Sequence, residues 1–577
     1  MISILSSLTM ARRALQAQQA AIQTTGHNIA NANTPGYTRQ RVDFSPSFPF
    51  SLGSAGSLGT GVDVKVVTRL RDLMLDSQFR DAHQALGQQE VEEATLAQIQ
   101  GLVNEPSANG LGSAMSALFA SFQDLANSPT DLSVRTVVRD KAQALVDQFH
   151  RLDDGFERLK VDLNNEILVD VKQVNGLAQQ IAGLNRQIAM AEGGGGTAND
   201  LRDQRDQALD EISKLVGGSV IEETGGQVRV TVGGGLTLVD GQTSVPLVAE
   251  LFNASDPTYP DSARLFLGGN LLMPGGGRMA GLLNSRNSAS GFVKGFQSQL
   301  DALAKNLVLD INRLHASGIG LQGLTALASE NAVTSPAVAL NAAGLPFTPV
   351  DGSFKVFVYD PSGAVTASGT IPVTAGTTTL AALATAIGGV GGGLTATVGA
   401  DNKLTITAPA GGTFTLAADT SDTLVALGLH GFFSGSDART IAVSNSVQAD
   451  VRTIAAATPN STGAFSPGDN SNALALAGLQ NDSTAITLPS GGITTFGAYL
   501  SGLVSDLAEQ GAGARRSVSL HTTMADFLTT RRDQSSGVSL DEEMTDLIRF
   551  QKAYEAAAHF TNVVNDLLGT LINQLGR

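Results

Sequence analysis

The chain has 577 residues, a net charge of −16 and an isoelectric point near 4.9. That is length enough for several domains, and the wrong sign for nucleic acid or an anionic membrane surface as partner. The absence of cysteine excludes disulfides, thiolate metal sites and cysteine nucleophiles, and no apolar run reaches the ~18 residues that would suggest a membrane span.

The head, to about Asn33, reads as an amphipathic helix. Ile4, Leu8, Ala11, Leu15, Ile22 and Ile29 recur at helical spacing. Arg12 and Arg13 fall inside this pattern, so the segment is not a secretory signal. Asn33-Thr34-Pro35-Gly36 stops it, because Pro35 biases Thr34 away from helical angles and Gly36 allows the turn. Tyr37 to Phe44 reads as extended, Ser45 to Gly61 as a loop, and Val62 to Val67 as a short strand. From about Leu70 to Val216 the pattern is helical, with breaks at Glu105-Pro106, at Ser128-Pro129 and at the glycines Gly193 to Gly196.

Residues 217–275 turn β-like, through Val228 to Val232 and Thr237 to Val239. One helix is expected from about Met279 to His315. Residues 331–440 are poor in charge and rich in Thr, Gly and Ala, with strand alternation at Phe354 to Val358 and Leu404 to Thr407 and a short helix at Thr379 to Ile387. Helical patterning returns from about Ser471, runs through Phe496 to Arg532, and ends in a tail of about 50 Å at 1.5 Å per residue. In that tail Leu547, Phe550, Tyr554, Ala557, Thr561, Val564, Leu568, Leu571 and Leu575 form a seam spaced alternately three and four apart.

The two ends are predicted to pair. Residues 1–50 carry Arg12, Arg13, Arg39 and Arg41 against Asp43. The tail carries Asp541, Glu542, Glu543, Asp546, Glu555 and Asp566 against Arg549, Lys552 and Arg577. Opposite signs on two apolar-seamed helices favour their association. The expected fold is mainly α with β insertions: an elongated α+β multidomain chain with its terminal helices paired as a coiled coil. Residues 1–50 and 538–577 would form that terminal domain, and 51–216, 276–325 and 441–537 a helical rod domain. Residues 217–275 would be a small β insertion and 326–440 an outer β-rich domain. The assembly interface would comprise Leu8, Leu15, Ile22, Ile29, Asn31, Asn33, Pro35 and Tyr37 at the head. In the tail it would comprise Leu547, Phe550, Tyr554, Val564, Leu568, Leu571 and Leu575.

No catalytic constellation emerges. The seven histidines are dispersed, with no His-x-x-x-His ligand pair, and there is no G-x-S-x-G elbow or phosphate-binding G-x-x-x-x-G-K-[ST] loop. Glu542-Glu543 sits in a first helical turn, where acidic groups favour the helix dipole. The expectation is a chain with no catalytic residues, no metal and no cofactor.

Asn28-Ile29-Ala30-Asn31-Ala32-Asn33-Thr34-Pro35-Gly36-Tyr37-Thr38-Arg39 resembles the N-terminal motif shared by bacterial flagellar rod, hook and hook-associated axial proteins. Gly59 to Val64, with Arg69, Asp72 and Arg80, continues the likeness. Glu105-Pro106-Ser107, Asn199-Asp200-Leu201, Asn312 with His315 and Gly318, Phe432 to Gly435, and Gly468 to Ala473 are similar to the hook-associated branch. Leu540 to Met544 and Phe550 to Tyr554 resemble its C-terminal signature. Gly320 departs from the pattern, standing where an acidic residue is expected.

The resemblance implies a structural protein of the junction between hook and filament, outside the cell on the bacterial flagellum, delivered by type III export without a cleaved signal peptide. The partners it implies are copies of the chain in a ring, hook protein on the proximal side and a second hook-associated junction protein on the distal side. A cytoplasmic export chaperone would bind the C-terminal helix. The alternatives are another axial protein or a secreted adhesin acting through the outer β-rich domain.

Overall fold

The computed structural model describes residues 2–51, 56–223, 225–251, 262–287, 291–487 and 492–575. Its helices, in chain order, are α1 (Ile2–Asn31), α2 (Leu73–Val103), α3 (Leu111–Asn127), α4 (Leu132–Glu192), α5 (Asn199–Val216), α6 (Gly277–Asn287) and α7 (Phe292–Ala316). They continue with α8 (Leu380–Gly388), α9 (Thr423–Leu427), α10 (Asn445–Ala449), α11 (Ser471–Gly478), α12 (Phe496–Ser536) and α13 (Leu540–Leu575). The fold is mainly α with β insertions. The single helix expected from Met279 to His315 is two, α6 and α7, with Gly291 in extended backbone as the N-cap of α7. The chain divides into two compact units. One comprises Met1–Thr95, Asp162–Asn287 and Gly513–Arg577, the other Leu96–Val161 and Ser288–Ala512.

In the first unit, strand β1 (Gln40–Pro46) pairs antiparallel with β4 (Val62–Arg69) from Gln40↔Arg69 to Pro46↔Val62, with an irregularity between Asp43 and Phe44. Between them, β2 (Phe50–Ser51) pairs with β3 (Ser57–Leu58). Helix α2 packs on the end of α12 through Leu75, Ala82 and Leu528. The Arg532 guanidinium lies 3.5 Å from the centre of the Phe79 ring, and Arg80 and Arg532 share Asp210 at 2.8 and 2.7 Å.

Residues 219–244 form a four-stranded meander. Its alternation is physical: Val228, Val230 and Val232 are buried while Arg229 and Thr231 are half-buried. Gly233 to Gly235, all at positive φ, turn the chain. Asn185 of α4 donates to the carbonyls of Val228 and Gly241 at 2.9 and 2.6 Å, which fastens the meander to the helix.

In the second unit, α3 buries Leu111, Met115, Leu118, Phe119, Phe122 and Leu125 at helical spacing. Phe119 stacks on Phe496 and Phe122 meets Phe432 edge-on. Two three-stranded antiparallel sheets and α8 enclose a separate apolar core that includes Phe354, Val356, Leu383, Leu404, Ile406, Phe414 and Leu424. The Thr379 hydroxyl caps α8 by accepting from Ala382 N at 3.2 Å. The ends of this β-rich segment meet, because Asn331 N donates to Leu427 O at 3.1 Å.

A polar knot lies at the base of the same unit. His315 Nδ1 is 2.8 Å from His430 O, and Ala455 N donates to His315 Nε2 at 3.0 Å. The second bond makes Nε2 an acceptor, so Nδ1 carries the proton and the ring is neutral. The two imidazoles lie 4.9 Å apart. Fully buried Arg135 donates to the carbonyls of Pro129 and Ile454. Burial holds both imidazoles well below their usual range, His430 at about 4, and lowers Arg135 to about 10 against the pull of Asp450.

Candidate functional site

The site is built where α1 ends. Asn31 stops the helix locally: its amide donates to His27 O at 3.0 Å, and its carbonyl oxygens accept from Thr34 N and Thr34 Oγ1 at 2.9 and 3.2 Å. Gly36 takes φ +74° and sits against the Gln207 side chain, which donates to Pro35 O, so a Cβ would have no room there. The turn sends Tyr37 back under the helix, where its ring meets His27 edge-on and its hydroxyl donates to Asn28 Oδ1 at 2.7 Å.

Asn28 is buried and uses its whole hydrogen-bonding capacity. It accepts from Tyr37 and from Gln40 N at 3.0 Å, and donates to Gln40 O and to Glu543 Oε2, both at 2.9 Å. The other Glu543 oxygen accepts from Arg39 Nε at 2.6 Å, and Arg39 also reaches Glu542 at 2.5 Å and Asp546 at 3.8 Å. Glu543 is only 2 % exposed. A carboxylate that deep needs both partners. For Arg39, burial works against the charge, but Glu542 and Glu543 outweigh it and raise its pKa. Burial first, then the carboxylates of Asp200, Asp203 and Glu543, raise the Tyr37 phenol, which therefore remains a donor.

A second tier of charges ties this clamp to the rest of the unit. Thr38 N donates to Asp203 at 2.9 Å. Arg69 bridges Asp203 and Asp206 at 2.7 and 2.8 Å, and Arg71 bridges Asp206 and Asp76 at 2.6 and 2.7 Å. Burial pushes Asp203 upward against Arg69. For Asp206 burial is overcome by Arg71 and Arg69, and its pKa is lowered. A cleft of about 380 Å³ opens beside the clamp, lined by Val42, Phe44, Leu70 and Phe550 with Arg41 and Arg549 among its polar walls. The Phe44 and Phe550 rings lie 6.5 Å apart, edge-on.

Asn28, near the end of α1, meets Glu543 in the first turn of α13, so the two helices run antiparallel from that point. Along α13, Val564 is buried and Leu547, Phe550, Ala557, Thr561, Leu568 and Leu571 are half-buried; Tyr554 is exposed. The side chains of Ile4 and Leu575 lie outside the described residues. On α1, Leu8, Leu15, Ile22 and Ile29 are half-buried, while the fully buried row is Ala11, Ala17, Ala21, Thr25 and Asn28. Small side chains are required there because α1 packs against α13, β1 and β4 together. Asn31 and Tyr37 are half-buried in the turn, and Asn33 and Pro35 are exposed.

Glu543, one of the tail acids expected to favour pairing with the head as well as the helix dipole, is the residue on which both ends converge. Arg39, one of the head cations whose charge favours the tail, reaches Glu542 and Glu543, whereas Gln40 and Asp203 are not among the expected site residues. The signal available was the buried-type polar run Asn28 to Arg39 facing an acidic first turn. On α13, Met544, Ile548, Phe560, Val563, Leu567 and Ile572 are exposed, and Phe560, Val563 and Leu567, at i, i+3 and i+7, share one face offset from the row that faces α1. Among the described residues, no group of His, Asp or Glu side chains is arranged to hold a metal ion, and no helix is long and apolar enough to cross a membrane.

Three family patterns match the chain. Residues 8–38 match the flagella basal body rod protein family, and residues 532–575 match the C-terminal part of the flagellar basal body rod FlgEFG proteins. Residues 96–328 match the helical domain of the flagellar hook-associated protein FlgK. The flagellar hook-associated protein 1 of Bacillus subtilis is 29% identical over 100% of this chain and 99% of its own length. The protein of that name from Salmonella typhimurium is 29% identical over 98% and 99%. Over its whole length this chain is similar to flagellar hook-associated protein 1. The flagellar hook junction protein FlgK from Burkholderia pseudomallei shares the fold, with a TM-score of 0.52 and 21% identity over 80% of this chain and 100% of that one.

In this chain the two rod-protein patterns are far apart in sequence, yet they meet physically at the Asn28–Glu543 bond. The clamp is thus the point at which the shared axial-protein ends are joined. The chain is a structural protein of the bacterial flagellum at the hook–filament junction.

Proposed function

We propose that the paired ends, residues 1–50 and 538–577, are the surface by which copies of this chain close into a ring. Hook protein would lie on the proximal side and the second hook-associated junction protein on the distal side. Each copy would leave the cytoplasm by type III export, escorted by an export chaperone on the C-terminal helix. The work is mechanical, and no step of it is catalytic. Residues 217–275 and 326–440 are outlying insertions on this reading, and the helical remainder carries load between them and the ends.

The observation that carries the proposal is the exposed apolar side chains of α13, among which Phe560, Val563 and Leu567 share one face at i, i+3 and i+7. One row of that helix is occupied by α1, and Met544, Ile548, Phe560, Val563, Leu567 and Ile572 remain in water. The exposed apolar patch of Phe560, Val563 and Leu567 favours burial against another protein. Burying all six exposed side chains would contribute on the order of 10 kcal/mol before ordering costs.

The double substitution Val563→Asp and Leu567→Asp tests it. Both side chains face solvent, so the isolated chain should keep its helix content and melting temperature. Flagella from such cells should lack the protein at the hook tip and carry no filament. Filaments of normal number and length would refute the proposal.

A further inference from the structure

We propose that the Phe48-Pro49-Phe50 arm of one copy seats in the cleft beside the Asn28–Glu543 clamp of a neighbouring copy. This rests on the ring reading above and names the contact that would set its spacing. Phe48 is 95 % exposed, and Phe50 and Leu58, which face each other across the β2–β3 pair, are half exposed. Single exposed apolar residues are ordinary. Two phenylalanines and a leucine gathered on one short hairpin are not.

The arm is also held out rigidly at its base. Ser47 N donates to Gly61 O at 2.9 Å, the Ser47 hydroxyl to Asp63 at 2.6 Å, and the Thr60 hydroxyl to Phe48 O at 2.6 Å. Pro46 closes β1, and Pro49 biases Phe48 towards extended backbone. A pre-set aromatic side chain loses little freedom on docking.

The cleft has the matching chemistry. Phe44, still 39 % exposed, and Phe550 supply aromatic walls, and Val42 and Leu70 apolar ones. The guanidiniums of Arg41 and Arg549 stand at its polar side, both side chains more than half exposed, and Arg549 already lies 4.8 Å from the Phe550 ring centre. Cations beside an apolar floor favour the face of an arriving aromatic ring, and the Phe48-Pro49-Phe50 arm brings no charge of its own. In the single chain the ring of Phe48 is in water, so the arm does not fill this cleft itself. A contact in which one surface meets a different one is heterologous, and it closes a ring when the rotation between copies allows. The arm would act as a central anchor, with the exposed face of α13 supplying most of the area.

Two measurements test the contact. Phe48→Ser chains should match the parent in circular dichroism, and be depleted about tenfold or more from isolated flagella; presence at parental levels would overturn the arm. For the second, cells co-express one chain with Phe48→Cys and another with Arg41→Cys. Because the parent has no cysteine, a disulfide between them can form only between copies at these positions. A linked dimer in isolated flagella is expected, and incorporation of both chains without the link would overturn the proposal. The Val563→Asp and Leu567→Asp chain separates the two ideas. If that chain still reaches the hook tip the ring-by-α13 reading fails, while the disulfide continues to report on the arm alone.

Discussion

Asn28 is the residue on which the clamp turns. Replacing it with alanine would leave the Tyr37 hydroxyl, Gln40 N and one oxygen of buried Glu543 without that partner. A loss of about 2–3 kcal/mol in the stability of the first unit is expected in chemical denaturation. Asn31→Ala, which touches only its own turn, should cost under about 1 kcal/mol. The run Asn28 to Arg39 was legible as a motif, but its target was not, since nothing local indicates that residue 28 faces residue 543. The same distance hid the partners of Arg39, so Asn33 and Pro35 drew attention that belongs to Asn28.

At the other polar knot, His430 is held neutral at about 4 while an unfolded imidazole titrates near 6.5. Between those values the unfolded chain binds the extra proton. The stability His430 confers is therefore intact above pH 6.5, falls as pH drops through that value, and stops falling below about 4. His315 adds to the loss in the same direction. For His430 alone the loss is on the order of 3 kcal/mol. His430→Asn tolerates the positive φ at this position and cannot titrate. It should flatten the fall in melting temperature between pH 6.5 and 4.

Helix α1 shows what periodicity does and does not reveal. The three-and-four rhythm located both end helices, because burying one seam imposes it. It pointed to Leu8, Ala11, Leu15, Ile22 and Ile29, yet of these only Ala11 is fully buried, and the other alanines of the buried row, Ala17 and Ala21, lie outside the rhythm. Large side chains dominate a hydrophobicity count, whereas depth goes to whichever residues let three elements approach closely. Ala21→Leu should therefore separate α1 from α13 at a cost of about 1–3 kcal/mol, seen as faster amide exchange across residues 543–564. Unchanged exchange would mean that the helices are held by the clamp alone. The exposed face of Phe560, Val563 and Leu567 is hidden in the sequence in a related way, because the longer seam dominates the periodicity of α13.

Each compact unit is assembled from segments far apart in sequence, and neither coincides with the expected terminal or rod domain: residues 51–95 and 162–216 fall in the unit that holds both ends, and 96–161 in the other. The outer β-rich segment can be separated on paper because Asn331 N and Leu427 O are already bonded. Replacing residues 332–426 with a short glycine linker should leave a folded chain that still reaches the hook tip, measured by immunogold labelling of isolated flagella. An adhesin would lose its binding surface by the same deletion, so failure to reach the tip would count against assembly through the ends. The clamp has one more consequence. Its carboxylate comes from residue 543 and its amide from residue 28, so a polypeptide cut short anywhere before the last helix cannot complete it. Such a fragment would leave Asn28 and Arg39 without their acceptor and α1 without a companion, and the fold thereby tells a finished product from a truncated one.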